Sequence, residues 1–143
     1  MSPSEVFLSH SSRDHAMAQR LATVLTAHGI PVFFSPQNIV GAQEWQDEIL
    51  HALQRCEWFV VLLSPDAVES MWVKREVAFA LNERRYQKKI IPLRYRDCEM
   101  TSVQWLTLYQ MVDFSQDFAE GCRNLLRVWG VGLRTELVAP ANP

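Results

Sequence analysis

The segment Trp58–Ser64 (WFVVLLS) constrains the fold of this 143-residue chain more than any other part of it. Its six apolar residues follow one another with no polar residue between them. A strand with one face in water alternates apolar and polar residues, so this run predicts a strand buried on both faces. Strands of that kind occupy the centre of parallel sheets, which carry helices on both sides.

Four more short apolar runs, rich in Val, Ile and Phe, are bounded by turn residues and predict further strands. They are Glu5–Ser9, Pro31–Ser35, Ile90–Tyr95 and Gln110–Phe114. Parallel neighbours need crossover connections, and right-handed crossovers place helices on both faces of a sheet. The sequence therefore predicts an α/β domain of the flavodoxin-like, doubly wound type, with five parallel strands in the order 2-1-3-4-5.

Stripes of apolar residues at helical spacing separate these strands. Ser11 and Asp14 resemble a capping box at the start of the first helix, and Gly29 is a natural C-terminal cap. The last helix is expected to start after Ser115, and a short helix is expected near Trp105. The stripes are Met17, Leu21, Val24 and Leu25; Trp45, Ile49 and Leu53; Val73, Val77, Ala80 and Leu81; and Phe118, Cys122, Leu125, Leu126 and Trp129.

Composition excludes several classes of protein. The net charge of -2, from 14 basic and 16 acidic residues, argues against direct nucleic-acid binding. Neither a membrane span nor a secretory signal is visible, and three widely spaced cysteines suit neither a disulfide framework nor a zinc site. We therefore expect a cytoplasmic domain over residues 1–133, with residues 134–143 as a disordered tail or a linker to a C-terminal domain.

Three of the predicted strands end in serine, at Ser9, Ser35 and Ser64. Ligands of this fold class bind at the carboxyl ends of the strands, so these positions and the following stretch His10–Ser12 predict a polar pocket. Serine is also a common helix cap and turn residue, and for any single position that alternative is favoured.

Glu76 stands out because it lies within the apolar stripe of the third helix, four residues after Trp72. Burying a carboxylate is costly, so a buried Glu76 requires a raised pKa or a hydrogen-bonding partner. Functional and purely structural roles fit this pattern about equally. Trp45, at the start of the second helix, fits core packing better than stacking on a planar ligand, although its place permits both.

Standard nucleotide and hydrolase motifs are missing from the sequence. It contains no GxGxxG, GxxxxGK[ST], HExxH or GxSxG pattern, and its four histidines lack metal-ligand spacing. A response-regulator receiver would need an acidic pair after the first strand and an aspartate ending the third, where this chain has His10–Ser12 and Ser64.

The charge is distributed unevenly. Residues 74–96 hold eight basic and two acidic residues, a net charge of +6 against -8 for the rest. This basic segment could meet the acidic residues Glu44, Asp47 and Glu48 of a second copy, although a solvated basic face is the more common explanation.

Four boxes in family-like order make the chain resemble a Toll/interleukin-1 receptor (TIR) domain of the bacterial type over about residues 4–130. They are VFLSHSSRD (Val6–Asp14), the loop Ser35–Glu44 with its glycine, FVVLLSP (Phe59–Pro65) and the S-x-W-x-x-x-E pattern of Ser70–Glu76. The loop resembles the BB loop of that family.

The resemblance implies a function and a set of site residues. Many bacterial and plant TIR domains cleave NAD+ between nicotinamide and ribose, and the catalytic glutamate of that class falls on Glu76. The aromatic residue that stacks on substrate falls on Trp45, and the tryptophan before the glutamate on Trp72. The remaining cleft positions fall on His10, Ser11, Ser12, Phe33 and Ser35. Where the family often has an acidic residue at the end of strand two, this chain has Ser35.

The resemblance thus predicts an NAD+ glycohydrolase or cyclase of a bacterial anti-phage defence system. NAD+ would be its substrate, with no cofactor or metal required. Partners would be other TIR domains, bound through loop 35–44, and a fused or separate activator or sensor module. The alternative is a non-catalytic TIR adaptor that acts through TIR–TIR contacts alone.

Overall fold

The structure is a computed structural model that describes residues 2–34 and 43–138, with side chains described from residue 46 in the second segment. Five strands alternate with helices along the chain. The strands are β1 (Val6–Ser9), β2 (Val32–Phe34), β3 (Trp58–Leu63), β4 (Ile90–Arg94) and β5 (Val112–Asp113). The helices are α1 (His15–Ala27), α2 (Gln43–Arg55), α3 (Pro65–Glu69), α4 (Met71–Asn82) and α5 (Phe118–Val128).

The strands form one parallel sheet in the order β2-β1-β3-β4-β5, which confirms the predicted flavodoxin-like topology. Strand β3 lies at its centre, and all of its residues except the half-buried Trp58 are buried. Helices α1 and α5 pack on one face of the sheet, while α2, α3 and α4 pack on the other. A 3-10 helix at Thr101–Leu108 completes that second layer, in the region expected to hold a short helix.

The predicted capping box of the first helix is wrong. The Ser11 hydroxyl accepts from the backbone N–H of Arg13 (3.2 Å), which starts a 3-10 turn at Ser12–Asp14 and not α1 itself. Helix α1 begins at His15 without a side-chain cap. The carboxylate of Asp14 accepts a hydrogen bond from the Ser64 hydroxyl instead, because the fold brings the turn after β1 beside the end of β3.

Helix α5 is capped by Asp117 and not by Ser115, since the Asp117 carboxylate accepts from the backbone N–H of Glu120 (3.2 Å). At the end of α1, Gly29 has a φ of +83°, the left-handed conformation that a glycine cap provides. The predicted C-terminal cap of α1 is therefore confirmed.

The five residues that follow the expected boundary at Leu133 remain in contact with the domain. A 3-10 turn spans Thr135–Leu137, and the backbone N–H of Arg134 donates to Nε2 of His28 (3.0 Å). Leu133 and Val138 pack against the core. Residues 139–143 lie outside the described residues. Among the helices that the structure describes, none has the length and apolar composition needed to cross a bilayer.

Candidate functional site

The candidate site lies where β1 and β3 end, side by side at the centre of the sheet. The chain leaves β1 toward one edge of the sheet and β3 toward the other, so this is the point at which strand order reverses. Ser9, the last residue of β1, pairs with Val61 of β3. Helix α4 packs against both strands and carries Glu76, which lies at the end of β1.

Glu76 is buried, with 2 % of its surface exposed, and one of its two carboxyl oxygens is bonded to Ser9. The Ser9 hydroxyl donates to Oε1 at 2.6 Å. Oε2 has no hydrogen-bonding partner among the residues that the structure describes. Burial raises the pKa of Glu76 to about 7, and the Ser9 hydrogen bond opposes that rise. A group of this kind exchanges a proton near neutral pH.

Two features of helix α4 orient Glu76: the cap at its N-terminus and its stripe of buried apolar residues. The Ser70 hydroxyl accepts from the backbone N–H of Val73 (3.3 Å) and caps the helix. Val73, Val77 and Ala80 are buried against the sheet, and Glu76 lies on the same side of the helix. The apolar contacts of its neighbours therefore hold the carboxyl in the protein interior, where it would not otherwise be favourable.

Trp72 lies one helical turn before Glu76 and is half-buried against the core of that layer. The guanidinium of Arg75 lies 5.7 Å from the centre of its ring. Part of the indole therefore faces outward on the same helix that carries the buried carboxyl.

His10 follows Ser9 and is fully buried. Its Nε2 lies 3.4 Å from Nδ1 of His15, and both rings lie within 6 Å of the ring of Phe34, with centroid distances of 5.9 and 5.6 Å. Burial and the neighbouring His15 lower the pKa of His10 to about 4. The imidazole is therefore neutral at physiological pH.

Because the folded pKa of His10 is depressed, the folded domain binds this proton more weakly than the unfolded chain does. We expect the free energy of unfolding to fall by about 2 kcal/mol on this account as the pH drops from 6.5 to 4.5. Urea denaturation of wild type and His10→Gln at both pH values measures it, since the variant lacks this titration. His51→Gln, an exposed histidine on α2, is the matched control. An equal acid loss in wild type and His10→Gln would contradict the assignment.

Asp14 is the second buried carboxyl in this region, with 4 % of its surface exposed. Burial raises its pKa, while the hydrogen bond from Ser64 lowers it. The same Ser64 oxygen accepts from the backbone N–H of Ala67 at 3.1 Å and so caps α3. The sequence pattern placed Asp14 in a helix cap and gave no indication of this contact.

Of the predicted site residues, Trp72 lies on α4 together with Glu76, and His10 follows Ser9 but packs its ring on His15 and Phe34. Ser11 is buried and its hydroxyl caps the 3-10 turn Ser12–Asp14, whereas Ser12 is exposed. Phe33 is half-buried and packs on Phe7, with ring centroids 5.4 Å apart. Ser35 lies outside the described residues, as does the side chain of Trp45, whose backbone is in the first turn of α2. The pairing of Ser9 with Glu76 was missed, because the two residues are 67 positions apart.

The fold and the boxes at its strand ends define a family. A family model described as "TIR domain" matches residues 6–126, and the chain belongs to the TIR domain family. A comparison with curated proteins gives no significant match.

Solved structures share the fold at low sequence identity. The TIR domain of the Toll-related receptor TRR-2 from Hydra magnipapillata is 22% identical, with a TM-score of 0.70 over 86% of this chain and 95% of that one. The TIR domains of the activated Roq1 resistosome are 13% identical, with a TM-score of 0.67 over 87% and 98%. A prokaryotic SEFIR domain is 19% identical, with a TM-score of 0.67 over 99% and 100%.

Proposed function

We propose that this TIR domain is an NAD+ glycohydrolase or cyclase of a bacterial anti-phage defence system, acting in the cytoplasm. The observation that carries the proposal is the buried carboxyl of Glu76, which has one oxygen held by Ser9 and the other without a partner among the described residues. It stands at the strand ends where this fold class binds ligands, and the S-x-W-x-x-x-E resemblance assigns it the role of the family's catalytic glutamate.

The reaction breaks the C1′–N bond between ribose and nicotinamide. Nicotinamide is cationic in NAD+ and leaves as a neutral molecule with the bonding electron pair, so no general acid is needed. Positive charge develops on the ribose as in glycoside hydrolysis, and an ionised Glu76 stabilises it electrostatically. Water then adds to C1′ and loses a proton to give ADP-ribose. Alternatively, an adenine nitrogen or a ribose hydroxyl of the same molecule adds to C1′ and loses a proton to give a cyclic ADP-ribose product.

A buried carboxylate suits this reaction because its attraction for the ribose grows as the bond breaks. Such an interaction is stronger in the transition state than in the bound substrate, which is the condition for catalysis. The low dielectric around Glu76 strengthens it further. In this proposal Trp45 stacks on a planar ring of the substrate, and Trp72 forms part of the cleft together with His10, Ser11, Ser12, Phe33 and Ser35.

Nicotinamide release from NAD+ tests the proposed function. We expect the domain, concentrated or crowded to drive assembly, to release nicotinamide and form ADP-ribose or its cyclic isomer. Chromatography with mass detection identifies both products, and the same assay with NADP+ defines the substrate. Absence of nicotinamide under every condition in which the domain is assembled would contradict the proposal and leave the non-catalytic adaptor as the function.

We further propose that the domain acts through TIR–TIR contacts involving loop 35–44 and that an activator or sensor module triggers assembly. The basic residues between positions 74 and 96 support such contacts by their charge. Two of them pair locally, Lys89 with Glu57 and Arg94 with Asp97, while Arg75, Arg84 and Lys88 are exposed.

Association driven by these charges is expected to weaken by roughly tenfold between 50 and 500 mM NaCl, since salt screens exposed charges. Sedimentation velocity measures the dissociation constant. Arg84→Glu is expected to weaken association, whereas Arg127→Glu, an exposed arginine of α5 on the opposite layer, is expected to leave it unchanged. Association that is independent of salt would contradict a charge-driven contact.

A further inference from the structure

We propose that Ser9 is a positioning residue of the catalytic site, whose hydroxyl holds one oxygen of Glu76 so that the other oxygen faces the substrate. This inference rests on the proposed function, because it assigns a role in that reaction. It concerns a residue that neither the sequence pattern nor the family resemblance singled out as a partner of Glu76.

The geometry supports a fixed contact. Ser9 is the last residue of a strand hydrogen-bonded on both sides, and 1 % of its surface is exposed. The backbone that carries the Ser9 hydroxyl is therefore rigid, whereas the Glu76 side chain has three rotatable bonds. The 2.6 Å bond to Oε1 joins the sheet to α4 and removes much of that freedom. Positioning of this kind lowers the entropic cost of reaching the reactive arrangement.

The second carboxyl oxygen of Glu76 lacks a hydrogen bond within the described part of the chain. Burying an acceptor without a hydrogen bond costs about 1–3 kcal/mol, and proteins rarely tolerate it without a reason. Oε2 of Glu76 is such an atom within the described part of the chain. A ribose hydroxyl, or the positive charge that develops on C1′, would satisfy it. Ser9 occupies Oε1 and leaves Oε2 without a partner among the described residues.

The same hydrogen bond favours the ionised carboxyl, which the reaction needs. A hydroxyl donating to a carboxylate stabilises the charged form, and burial opposes it. Within the described part of the chain, burial and the Ser9 hydroxyl act on the pKa of Glu76 more than do the charged or titratable side chains on elements packed against α4. Those described are His10 beside β1; Asp47, Glu48, His51 and Arg55 on α2; Asp66 and Glu69 on α3; and Arg84, Arg85 and Tyr86 after α4.

The pH dependence of kcat/KM for nicotinamide release in Ser9→Ala tests the proposal, since it reports the ionisation of the free enzyme. Loss of a hydrogen bond to a charged group is expected to move the midpoint up by roughly one pH unit. The rate would then fall roughly tenfold at pH 6 and by less than about twofold at pH 9. Ser9→Thr keeps the hydroxyl and is expected to restore the wild-type midpoint.

A carbon-13 NMR titration of the Glu76 carboxyl, assigned with Glu76→Gln, measures the same midpoint without substrate. Ser64→Ala is the matched control. Like Ser9, Ser64 is a buried serine at the end of a central strand, but its hydroxyl donates to Asp14 and not to Glu76. This control is expected to leave the Glu76 midpoint at its wild-type value.

An unshifted Glu76 titration in Ser9→Ala, or an equal loss of rate at pH 6 and pH 9, would overturn the role of Ser9 alone. Absence of nicotinamide from the wild type in every assembled state would overturn the proposed function and the catalytic role of Ser9 with it. The carbon titration distinguishes the two cases, since it detects the hold of Ser9 on Glu76 whether or not the domain turns over NAD+.

Discussion

Glu76→Gln is expected to lower kcat/KM for nicotinamide release by roughly 100- to 1,000-fold at pH 8. Glutamine has the size of glutamate and its amide oxygen can still accept from Ser9, so the change removes a charge and little else. Removing one group that stabilises transition-state charge commonly has an effect of this size. The wild-type carboxyl is mostly ionised at pH 8, because its pKa is about 7.

Nicotinamide release is measured for the wild type, Glu76→Gln and Glu99→Gln at equal states of assembly. Glu99 is an exposed glutamate before the 3-10 helix Thr101–Leu108 and provides the matched control, with unchanged activity expected. Circular dichroism establishes that the inactive variant is folded. Activity of Glu76→Gln within about threefold of the wild type would exclude the carboxylate mechanism.

The same substitution is expected to stabilise the domain by about 3 kcal/mol at pH 8. The folded pKa of Glu76 is raised above that of the unfolded chain, so the folded state holds this proton more tightly. The free energy of unfolding therefore falls as the pH rises from about 4.5 to 7, and the deficit remains at higher pH. Glutamine stays neutral and avoids the loss.

Urea denaturation at pH 8 and pH 5 measures this effect, with an expected gain of about 3 kcal/mol at the higher pH and about 1 kcal/mol at the lower. In a thermal scan at pH 8 the gain corresponds to roughly 10 °C in Tm. Glu99→Gln again serves as the control. Equal stability of wild type and Glu76→Gln at pH 8 would mean that the buried carboxyl carries no ionisation cost. A gain in the free energy of unfolding together with a loss of activity would show that Glu76 serves function and lowers stability.

The strands were predictable because their pattern is local. The unbroken apolar run at Trp58–Leu63 identified the central strand, and the alternation of strands with helical stripes gave the sheet order. The ends of elements were less predictable. Ser11 and Ser115 both precede helices, yet the α5 cap is Asp117 and α1 has no side-chain cap, since several polar residues compete at each start.

The candidate site was predictable to the extent that it depends on one helix. The place of Glu76 in an apolar stripe predicted that burial would require a partner or a raised pKa, and both are present. The identity of that partner was not predictable. Both buried serine–carboxyl contacts, Ser9 with Glu76 and Ser64 with Asp14, join residues at least 50 positions apart, and only the packed sheet brings them together.

The Ser64 contact has a mechanical consequence for the site. One hydroxyl donates to Asp14, in the turn after β1, and accepts from Ala67, at the start of α3 after β3. The segments that leave the two central strands are therefore tied together, and separating them would break a buried bond to a carboxyl at a cost of about 1–3 kcal/mol. They are expected to move as one stiff unit.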